Sequence, residues 1–467
     1  MSAAIVFPQL LNQFDKLTGG INGISMNMPA LLAKPVFGLS WLTIMVTLVP
    51  IAALALHYLL RGMPLGRRMR IAAESPEAAR SLGIRPGLMR SLAFVIASIG
   101  TGICGLLYVP TVSFISPQGF LIDLSFVFFF AVVVGGRGQL LGPIIGIWII
   151  FILPSVFLVK LVEYKPLVYG ILTLAVVILF PDGVVGTFET WRRKRNQQGG
   201  GEQAFSLGSF TAVLENLPDA PPAADMTPII SVKGATKRFG AVVAIDGVDM
   251  EVRPGEVHGL VGANGSGKTS LLNVISGLSR VDGGSYHFCG ADVTRLPAAD
   301  IALRGLGRTF QTPRVFQSLS VWGNLQIGLD ARQTEPSADV ARLIEDLRKA
   351  HGDDSPALLS HGQRRLLEVV RVVMKDPSIV LFDEPAAGLS PQERAAFSSL
   401  VHLLSRKLGK AVILVEHDLD LVWGIADRIT VLETGRVVAQ GVPADLARDP
   451  GRATFVCRRH RCLKSAI

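Results

Sequence analysis

The residues Gly262–Thr269, GANGSGKT, have the GxxxxGK[ST] spacing of a phosphate-binding P-loop. The preceding stretch, Glu256–Val261, predicts a strand, and Ser270–Leu278 predicts the helix that should follow such a loop. Glycines allow a tight turn whose backbone N–H groups point inward at phosphate oxygens. Lys268 supplies a positive charge for the β- and γ-phosphates, and Thr269 supplies a hydroxyl for Mg²⁺. The motif therefore predicts a phosphate site with a Mg²⁺ ion.

A second pair of chemically competent side chains ends the stretch Ile379–Glu384, IVLFDE. Four apolar residues predict a buried strand, and the two carboxylates stand at its C-terminal end, where open α/β sheets place ligands. Asp383 can hold Mg²⁺ through water, and Glu384 can polarise an attacking water as a general base. A strand that ends in Asp-Glu is a weak signal alone, and the P-loop upstream makes it a strong one.

Three further motifs have a structural interpretation beside a chemical one. LSHGQ, Leu359–Gln363, starts a basic amphipathic stretch, where it can form a second anion site or simply cap a helix. Gln311 in TFQTPRVF is, on the residues alone, a solvated loop amide. His417 in ILVEHD follows the predicted strand Ala411–Val415, and a lone histidine there is more often structural than catalytic.

The elements that position these residues belong to a polar half of the chain. Residues 229–450 alternate short apolar strands with helical patterns, which is typical of an α/β domain. The chain of 467 residues is 49% apolar and 18% charged, and its mean hydropathy is +0.43. A soluble globular protein carries about 25% charged residues. The composition therefore disfavours an all-soluble enzyme and excludes a largely disordered chain.

The excess positive charge lies in the apolar half. Of the net charge of +9, residues 1–195 account for all, with 16 Lys and Arg against 7 Asp and Glu. Basic residues beside apolar spans follow the positive-inside rule of membrane proteins. A nucleic-acid binder would more often show a basic patch on a polar domain. We therefore expect a lipid bilayer as a partner, and no nucleic acid.

Five apolar stretches predict membrane spans, since a span needs ~20 mostly apolar residues. They are Trp41–Leu60, Ser91–Pro110, Leu124–Gly136, Gln139–Val159 with a kink at Pro154, and Leu167–Phe180. The basic loop Arg61–Arg90 and the arginines and lysine after Trp191 should both be cytoplasmic. Four spans between these two regions return the chain to the same side.

This pattern predicts five regions along the chain. Residues 1–40 form an external N-terminal segment, 41–190 a transmembrane domain of about five spans, and 191–228 a flexible linker rich in Gly, Ala, Pro and Gln. Residues 229–450 form the α/β domain, and 451–467 form an atypical basic tail.

Taken in order, the P-loop and the motifs after it resemble the nucleotide-binding subunit of ABC transporters over residues 229–450. The resemblance implies that Phe239 in KRFG stacks on adenine, that Gln311 senses the γ-phosphate and Mg²⁺, and that His417 contacts the γ-phosphate. It also implies that LSHGQ is the signature that closes over ATP held by the opposite subunit. His361 departs from the Gly that most of the superfamily has there, and we expect function to be retained.

A finer resemblance is to the branched-chain amino acid importers. LSHGQRRLLE, DEPAAGLSP and VEHDLDLVW resemble their ATP-binding subunit, and TGGINGIS, ESPEAARSLGI, VVGGRGQLLGP and ILFPDGVVG resemble their permease. The implied fold is an α-helical transmembrane permease domain followed by an α/β P-loop ABC ATPase domain. The resemblance implies that the segment around Ser75–Leu82 couples the two through contacts near Gln311–Phe316. Ser75 as N-cap and Pro76 at the first helical position predict a short helix there.

Two departures leave alternatives open. The family's permease has further spans before the TGG loop, so the chain is expected to be the C-terminal part of a permease, either truncated or completed by a partner. The ending ATFVCRRHRCLKSAI does not resemble the family's usual end. The alternatives are a truncated, non-transporting, membrane-anchored ATPase and an importer of urea or short amides. An ABC exporter half-transporter is disfavoured, because most loops between spans are too short.

The expected function is ATP-driven import of branched-chain amino acids or related solutes across a bacterial inner membrane, with the ATPase domain cytoplasmic. The expected partners are a second permease–ATPase half and an external substrate-binding protein, and the cofactors are ATP and Mg²⁺. The predicted catalytic residues are Glu384, His417 and Gln311, and the predicted Mg²⁺ ligands are Thr269, Gln311 and Asp383. The predicted ATP-binding residues are Phe239, Gly262, Asn264, Gly265, Ser266, Gly267, Lys268, Thr269, Ser270, Ser360, Gly362 and Gln363.

Overall fold

The computed structural model divides the chain into two compact units. One comprises Met1–Met63 and Leu92–Glu202, and the other comprises Pro64–Ser91 and Gln203–Ile467. The structure describes residues 2–25, 35–36, 38–116, 122–136, 138–152, 165–180, 183–188, 227–332 and 354–448, with 191, 211, 215, 219, 335, 341–342, 344–345 and 348–349. The predicted tail at 451–467, most of the predicted linker and the predicted kink at Pro154 lie outside these residues.

The first unit contains two long apolar helices, Trp41–Gly62 and the greater part of Pro86–Val112. Both have the length and composition to cross a membrane. Only 6% of the most apolar 18-residue stretch of the first helix is buried, and 0% of that of the second. The core helix of a soluble protein would instead be mostly buried. The first helix begins at the predicted residue, because the Ser40 side chain caps it by accepting a hydrogen bond from Thr43 N.

The other three predicted spans are helical where the structure describes them. The helices are Ile122–Gly135, Gly142–Ile147 followed by the π-helix Trp148–Ile152, and Lys165–Leu179. None reaches the ~20 residues of a straight crossing. The first two are separated by a turn and pack closely, because a Cβ on Gly146 would lie 1.7 Å from the Ala131 carbonyl oxygen.

Short elements also belong to the described part of this unit. They include the helices Ser2–Gln13, Asp15–Thr18 and Gly20–Asn22, helical residues at 183–188, and the antiparallel strand pairs Ile24–Ser25 with Phe114–Ile115 and Pro35–Val36 with Leu39–Ser40.

The second unit is built on a six-stranded sheet. Its strand order is Leu306–Arg308, Ile379–Asp383, Ala411–Val415, Val257–Gly262, Arg428–Glu433 and Arg436–Gly441, and the last strand alone is antiparallel to its neighbour. Ile379–Asp383 and Ala411–Val415 are buried throughout, as continuous apolar runs in a covered parallel sheet should be. The three predicted strands of this sheet are present, with ends shifted by at most one residue.

A four-stranded antiparallel sheet lies beside it, in the order Val242–Val252, Ile230–Phe239, Gly283–Phe288 and Ala291–Asp292. The P-loop helix, Lys268–Ile275, packs Leu271, Leu272 and Ile275 into an apolar core that both sheets share. The prediction of a helix at Ser270–Leu278 was wrong at both ends. The helix begins directly after Gly267, and the positive φ of Gly277 stops it early.

Further helices of this unit are Pro64–Glu74, Pro76–Ser81, Ala298–Leu303, Val321–Asp330, Pro356–Leu358, His361–Met374, Pro391–Arg406, Leu419–Ile425 and Pro443–Arg448.

Candidate functional site

The P-loop has a backbone that requires glycine. Gly265 and Gly267 have φ angles of +80° and +104°, and a Cβ on Gly267 would lie 2.5 Å from the Ala244 carbonyl oxygen. Lys268 is buried, and its Nζ donates to the carbonyl oxygens of Gly262 at 2.7 Å and Ala263 at 2.9 Å. Burial lowers the pKa of Lys268, and the carboxylates of Glu384 and Asp383 oppose that shift. The ammonium therefore lies inside the loop and within the field of both carboxylates.

The other predicted P-loop residues differ in their solvent exposure. Asn264, Gly265 and Thr269 are exposed, whereas Ser266 is buried and its Oγ has no hydrogen-bond partner. Ser270, the next residue, is half-buried. The loop thus presents an open face on which phosphates can bind backbone N–H groups.

Asp383 ends its strand at the carboxyl edge of the sheet. It is buried, and its Oδ2 lies 3.5 Å from Arg308 Nη2. Burial raises the pKa of the Asp383 carboxyl, and the Arg308 guanidinium opposes that shift. Arg308 also donates to the Leu272 carbonyl at 3.0 Å, so it ties this carboxylate to the P-loop helix. Arg308 was not predicted from the sequence, because its neighbours Leu306 and Gly307 give no sign that the arginine is buried.

The predicted Mg²⁺ ligands fit a hard cation. Asp383 Oδ1 is buried and has no hydrogen-bond partner, and the Thr269 side chain is exposed beside the P-loop. Carboxylate, hydroxyl and phosphate oxygens are the donors that Mg²⁺ prefers, usually with several waters. Within the described residues, no group of three or more His, Cys, Asp or Glu gathers as an all-protein metal site.

Glu384, Gln311 and His417 meet in one hydrogen-bonded group. Gln311 Nε2 donates to Glu384 Oε2 at 3.1 Å, and His417 Nε2 lies 2.6 Å from Glu384 Oε1. They meet because the strands Ile379–Asp383 and Ala411–Val415 are parallel neighbours, whose carboxyl ends share one edge. The three residues predicted as catalytic are therefore brought together.

Two features of this group were not predictable locally. Glu384 has φ +49°, a left-handed conformation that is uncommon outside glycine and frequent at functional sites. Glu416 is buried, and its carboxylate accepts hydrogen bonds from the backbone N–H of Ala386 at 2.7 Å and of His417 at 3.2 Å. Burial raises the pKa of Glu416. This carboxylate fixes the backbone on both sides of the Glu384–His417 contact.

Phe239 lies at the tip of a hairpin that also borders the P-loop. Its ring is 51% exposed, and Lys237 Nζ lies 5.4 Å from the ring centroid. The opposite strand of the hairpin supplies Ala244, whose carbonyl lies against Gly267. An exposed aromatic face is thus available beside the phosphate loop.

Ser360, Gly362 and Gln363 lie at the start of the helix His361–Met374. Ser360 Oγ accepts from Gln363 N at 3.1 Å, and Gln363 Oε1 accepts from Ser360 N at 2.9 Å, which is a capping box. Throughout the described ranges, no hydrogen bond joins these three residues to the P-loop. Ser360 and Gln363 therefore cap the helix within the chain, and Ser360 stays exposed. The His361 ring lies against Gly388, whose added Cβ would be 3.1 Å from His361 Cδ2.

The segment Pro64–Ser91 packs on the α/β unit through an apolar cluster. Ile71, Ala78 and Ala79 are fully buried there, and Phe310 and Phe316 are buried on the facing side. Pro76–Ser81 is the predicted short helix, and Pro76 is its first residue. Ser75 is the N-cap residue, as predicted, and its side chain makes no capping hydrogen bond.

Polar contacts surround this cluster. Arg67 donates through Nε at 3.2 Å and Nη2 at 2.7 Å to Asp330 Oδ2, and Glu74 Oε2 accepts from Ser318 Oγ at 2.7 Å. Arg314 Nη2 lies 3.4 Å from Glu77 Oε2. The predicted contact between the coupling segment and the region Gln311–Phe316 is therefore present.

Comparisons with known proteins agree with this architecture. Residues 245–387 match the ABC transporter family model, and residues 1–177 match the model of the branched-chain amino acid transport system permease component. The high-affinity branched-chain amino acid transport ATP-binding proteins BraF of Pseudomonas aeruginosa and LivG of Escherichia coli K12 are 33% and 32% identical over 242 residues. Each alignment spans 48% of this chain and 95% of the relative.

Relatives with other substrates in their names also match. The aliphatic sulfonates import ATP-binding protein SsuB 2 of Pseudomonas syringae is 35% identical over 256 residues, or 54% of this chain and 87% of the relative. A crystal structure of a nucleotide-free ATP-binding cassette from an ABC transporter is 29% identical, with a TM-score of 0.44 over 49% of this chain and 99% of that one. The chain belongs to the ABC transporter family, and it carries a permease segment followed by an ABC ATPase domain.

Proposed function

We propose that the chain is a component of an ATP-driven importer that takes up branched-chain amino acids across a bacterial inner membrane. The names of BraF and LivG and the permease family model support this substrate class. The observation that carries the proposal is the packing of Pro64–Ser91, a loop between two apolar helices of the permease-matching region, on the ATPase beside Gln311.

In this proposal the Glu384 group hydrolyses ATP. Glu384 accepts a proton from the attacking water, Gln311 orients Glu384 and detects the γ-phosphate, and His417 contacts that phosphate. The hydrogen bonds that Glu384 makes with both partners support these roles. Phe239 stacks on the adenine, and the P-loop from Gly262 to Ser270 binds the phosphates.

Thr269, Asp383 and Gln311 are the residues that would hold Mg²⁺. The ion would neutralise charge on the β- and γ-phosphates when it is bound. The unpaired, buried Asp383 Oδ1 supports its assignment.

Ser360, Gly362 and Gln363 act on ATP that a second ATPase domain holds. Within the described residues no hydrogen bond joins them to the P-loop of the same chain, and Ser360 is exposed, which supports this arrangement. The second domain belongs to another copy or to a related permease–ATPase chain. An external substrate-binding protein delivers the solute.

Uptake of labelled leucine tests the proposal. Cells that make this chain and a cognate binding protein should accumulate leucine, and cells with Glu384→Gln should not. Uptake of urea or acetamide in place of leucine would move the substrate to short amides. ATP hydrolysis without uptake of any of these solutes would indicate an anchored, non-transporting ATPase.

A further inference from the structure

The helix His361–Met374 carries three charged side chains that are almost fully buried. Arg365, Glu368 and Arg371 are 1%, 0% and 2% exposed. Arg365 Nη1 lies 3.6 Å from Glu368 Oε2, and Arg371 Nη2 lies 3.8 Å from Glu368 Oε1. Apolar residues fill such a position at lower cost, because burying charges requires desolvation. A buried charge cluster on one helix therefore needs a reason beyond packing.

Four hydrogen bonds of this cluster go to the backbone of residues 310–316, a segment with neither helix nor strand. Arg371 Nη1 also donates to Asn324 Oδ1 at 3.3 Å. The Arg365 guanidinium donates one bond to the Phe310 carbonyl and one to the Gln311 carbonyl. Two N–H groups in a rigid fork on consecutive carbonyls fix the peptide plane between them. The orientation of the Gln311 backbone therefore depends directly on Arg365.

The rest of the cluster holds the other end of the same segment. Glu368 Oε1 accepts from Arg314 N at 3.0 Å, and Arg371 Nη2 donates to the Arg314 carbonyl at 2.7 Å. Arg371 also lies over the Phe316 ring, with its Cζ 4.7 Å from the centroid. Both backbone polar groups of Arg314 are thus bonded to this one helix.

The side chains of Gln311 and Arg314 contact other parts of the molecule. Gln311 Nε2 donates to Glu384 on the sheet, and Arg314 Nη2 contacts Glu77 of the loop Pro64–Ser91. We propose that Arg365 is a positioning residue for Gln311. Its two hydrogen bonds to consecutive carbonyls, with Glu368 and Arg371 holding Arg314 further along the segment, set where the Gln311 side chain meets Glu384.

This inference deepens the proposed function, and its test does not depend on transport. The purified full-length chain is compared with Arg365→Met and Arg365→Lys by ATP hydrolysis and by amide hydrogen exchange. The matched control is Arg364→Met, because Arg364 is the neighbouring arginine on the same helix and its Nη2 donates to the Ala357 carbonyl at 3.0 Å instead.

For Arg365→Met we expect a KM for ATP within about twofold of the native value, a kcat at least ~10-fold lower, and exchange in residues 310–318 at least ~10-fold faster. Arg365→Lys keeps the positive charge beside Glu368 but loses the paired guanidinium donors. It should therefore show a smaller fall in kcat and a smaller rise in exchange, again with a nearly native KM. Arg364→Met should match the native chain.

Native kcat and exchange in Arg365→Met, or an equal loss in Arg364→Met, would overturn the proposal. If Arg365→Met fails to fold, Arg365→Lys decides in the same way. Failure of leucine uptake by the native chain would instead refute the proposed substrate and leave this test unaffected.

Discussion

Glu384→Gln separates two properties of Glu384, its hydrogen bonds and its basicity. The carboxylate contacts His417 Nε2 at 2.6 Å and accepts from Gln311 Nε2 at 3.1 Å. A glutamine at this position can present its amide oxygen to Gln311 and its NH₂ group to a neutral His417 Nε2. Both contacts are kept, and only the ability to take a proton is lost.

The size of the effect follows from that difference. A positioned general base contributes about 10²–10⁴-fold to the rate, which corresponds to roughly 2.7–5.5 kcal/mol of the barrier. We therefore expect kcat to fall at least ~10²-fold. ATP affinity should not fall, because the Lys268 contacts are untouched and a negative charge is removed from beside the γ-phosphate site. The variant should therefore hold ATP in a closed dimer.

The assay is phosphate release from the purified full-length chain, together with ATP titration and sizing of the complex. Glu345→Gln is the matched control, since Glu345 forms an exposed surface pair with Arg348 at 2.7 Å, within its own helical segment. Turnover within a few-fold of native in Glu384→Gln would refute the general-base assignment. An equal loss of turnover in Glu384→Gln and Glu345→Gln would mean that the loss does not arise at the ATP site.

Three further predictions follow from the same geometry. Lys268→Ala should weaken ATP binding about 10- to 100-fold, because charged hydrogen bonds contribute about 1.5–3 kcal/mol each; unchanged affinity in an ATP titration would argue against a working P-loop. Ile71→Ala should cost about 2–5 kcal/mol of packing and speed amide exchange across residues 71–84, whereas Arg68→Ala, at an exposed position of the same helix, should not. Burial lowers the pKa of Lys375 to about 7 in the folded chain. Between pH 7 and 10 the Lys375 amine therefore binds a proton in the unfolded chain more than in the folded chain, and the free energy of unfolding should rise by up to ~1.4 kcal/mol per pH unit. Lys375→Met should remove that slope in urea titrations at pH 7 and 9, and an identical slope in both proteins would contradict the assignment.

The nucleotide site was predictable because its signals are local. The P-loop spacing fixes a loop and a helix in eight residues, and the apolar runs before Asp383 and His417 fix two strands. The rule that parallel strands end at one edge then brings Glu384 and His417 together without further information. Their roles stay predictions that the variants above test.

The buried charges were not predictable, because their partners are distant in the chain. Arg308 meets Asp383 from 75 residues away, and Arg365 meets Phe310 from 55. In sequence, RRLLEVVRVV predicts a helix with a charged, solvated face, yet Arg365 and Arg371 face inward. The apolar stretches were predictable from composition, since the helices Ile122–Gly135 and Lys165–Leu179 begin and end within two residues of the predicted Leu124–Gly136 and Leu167–Phe180.

The contacts around the packed loop differ in what each can contribute. The Arg314–Glu77 pair is exposed on both sides, at 45% and 58% of the side chains, so it is worth about 0–1 kcal/mol. Arg67–Asp330 is largely buried, at 10% and 20%, and Ile71 is fully buried among aromatic and aliphatic side chains. The stability of packing therefore rests on Arg67 and the apolar cluster. Phe310 and Phe316 of that cluster contact Arg365 and Arg371 of the helix after Ser360. We therefore expect a movement of the loop to reach the ATP site through these packed side chains. The Arg314–Glu77 ion pair adds orientation to that path and little energy.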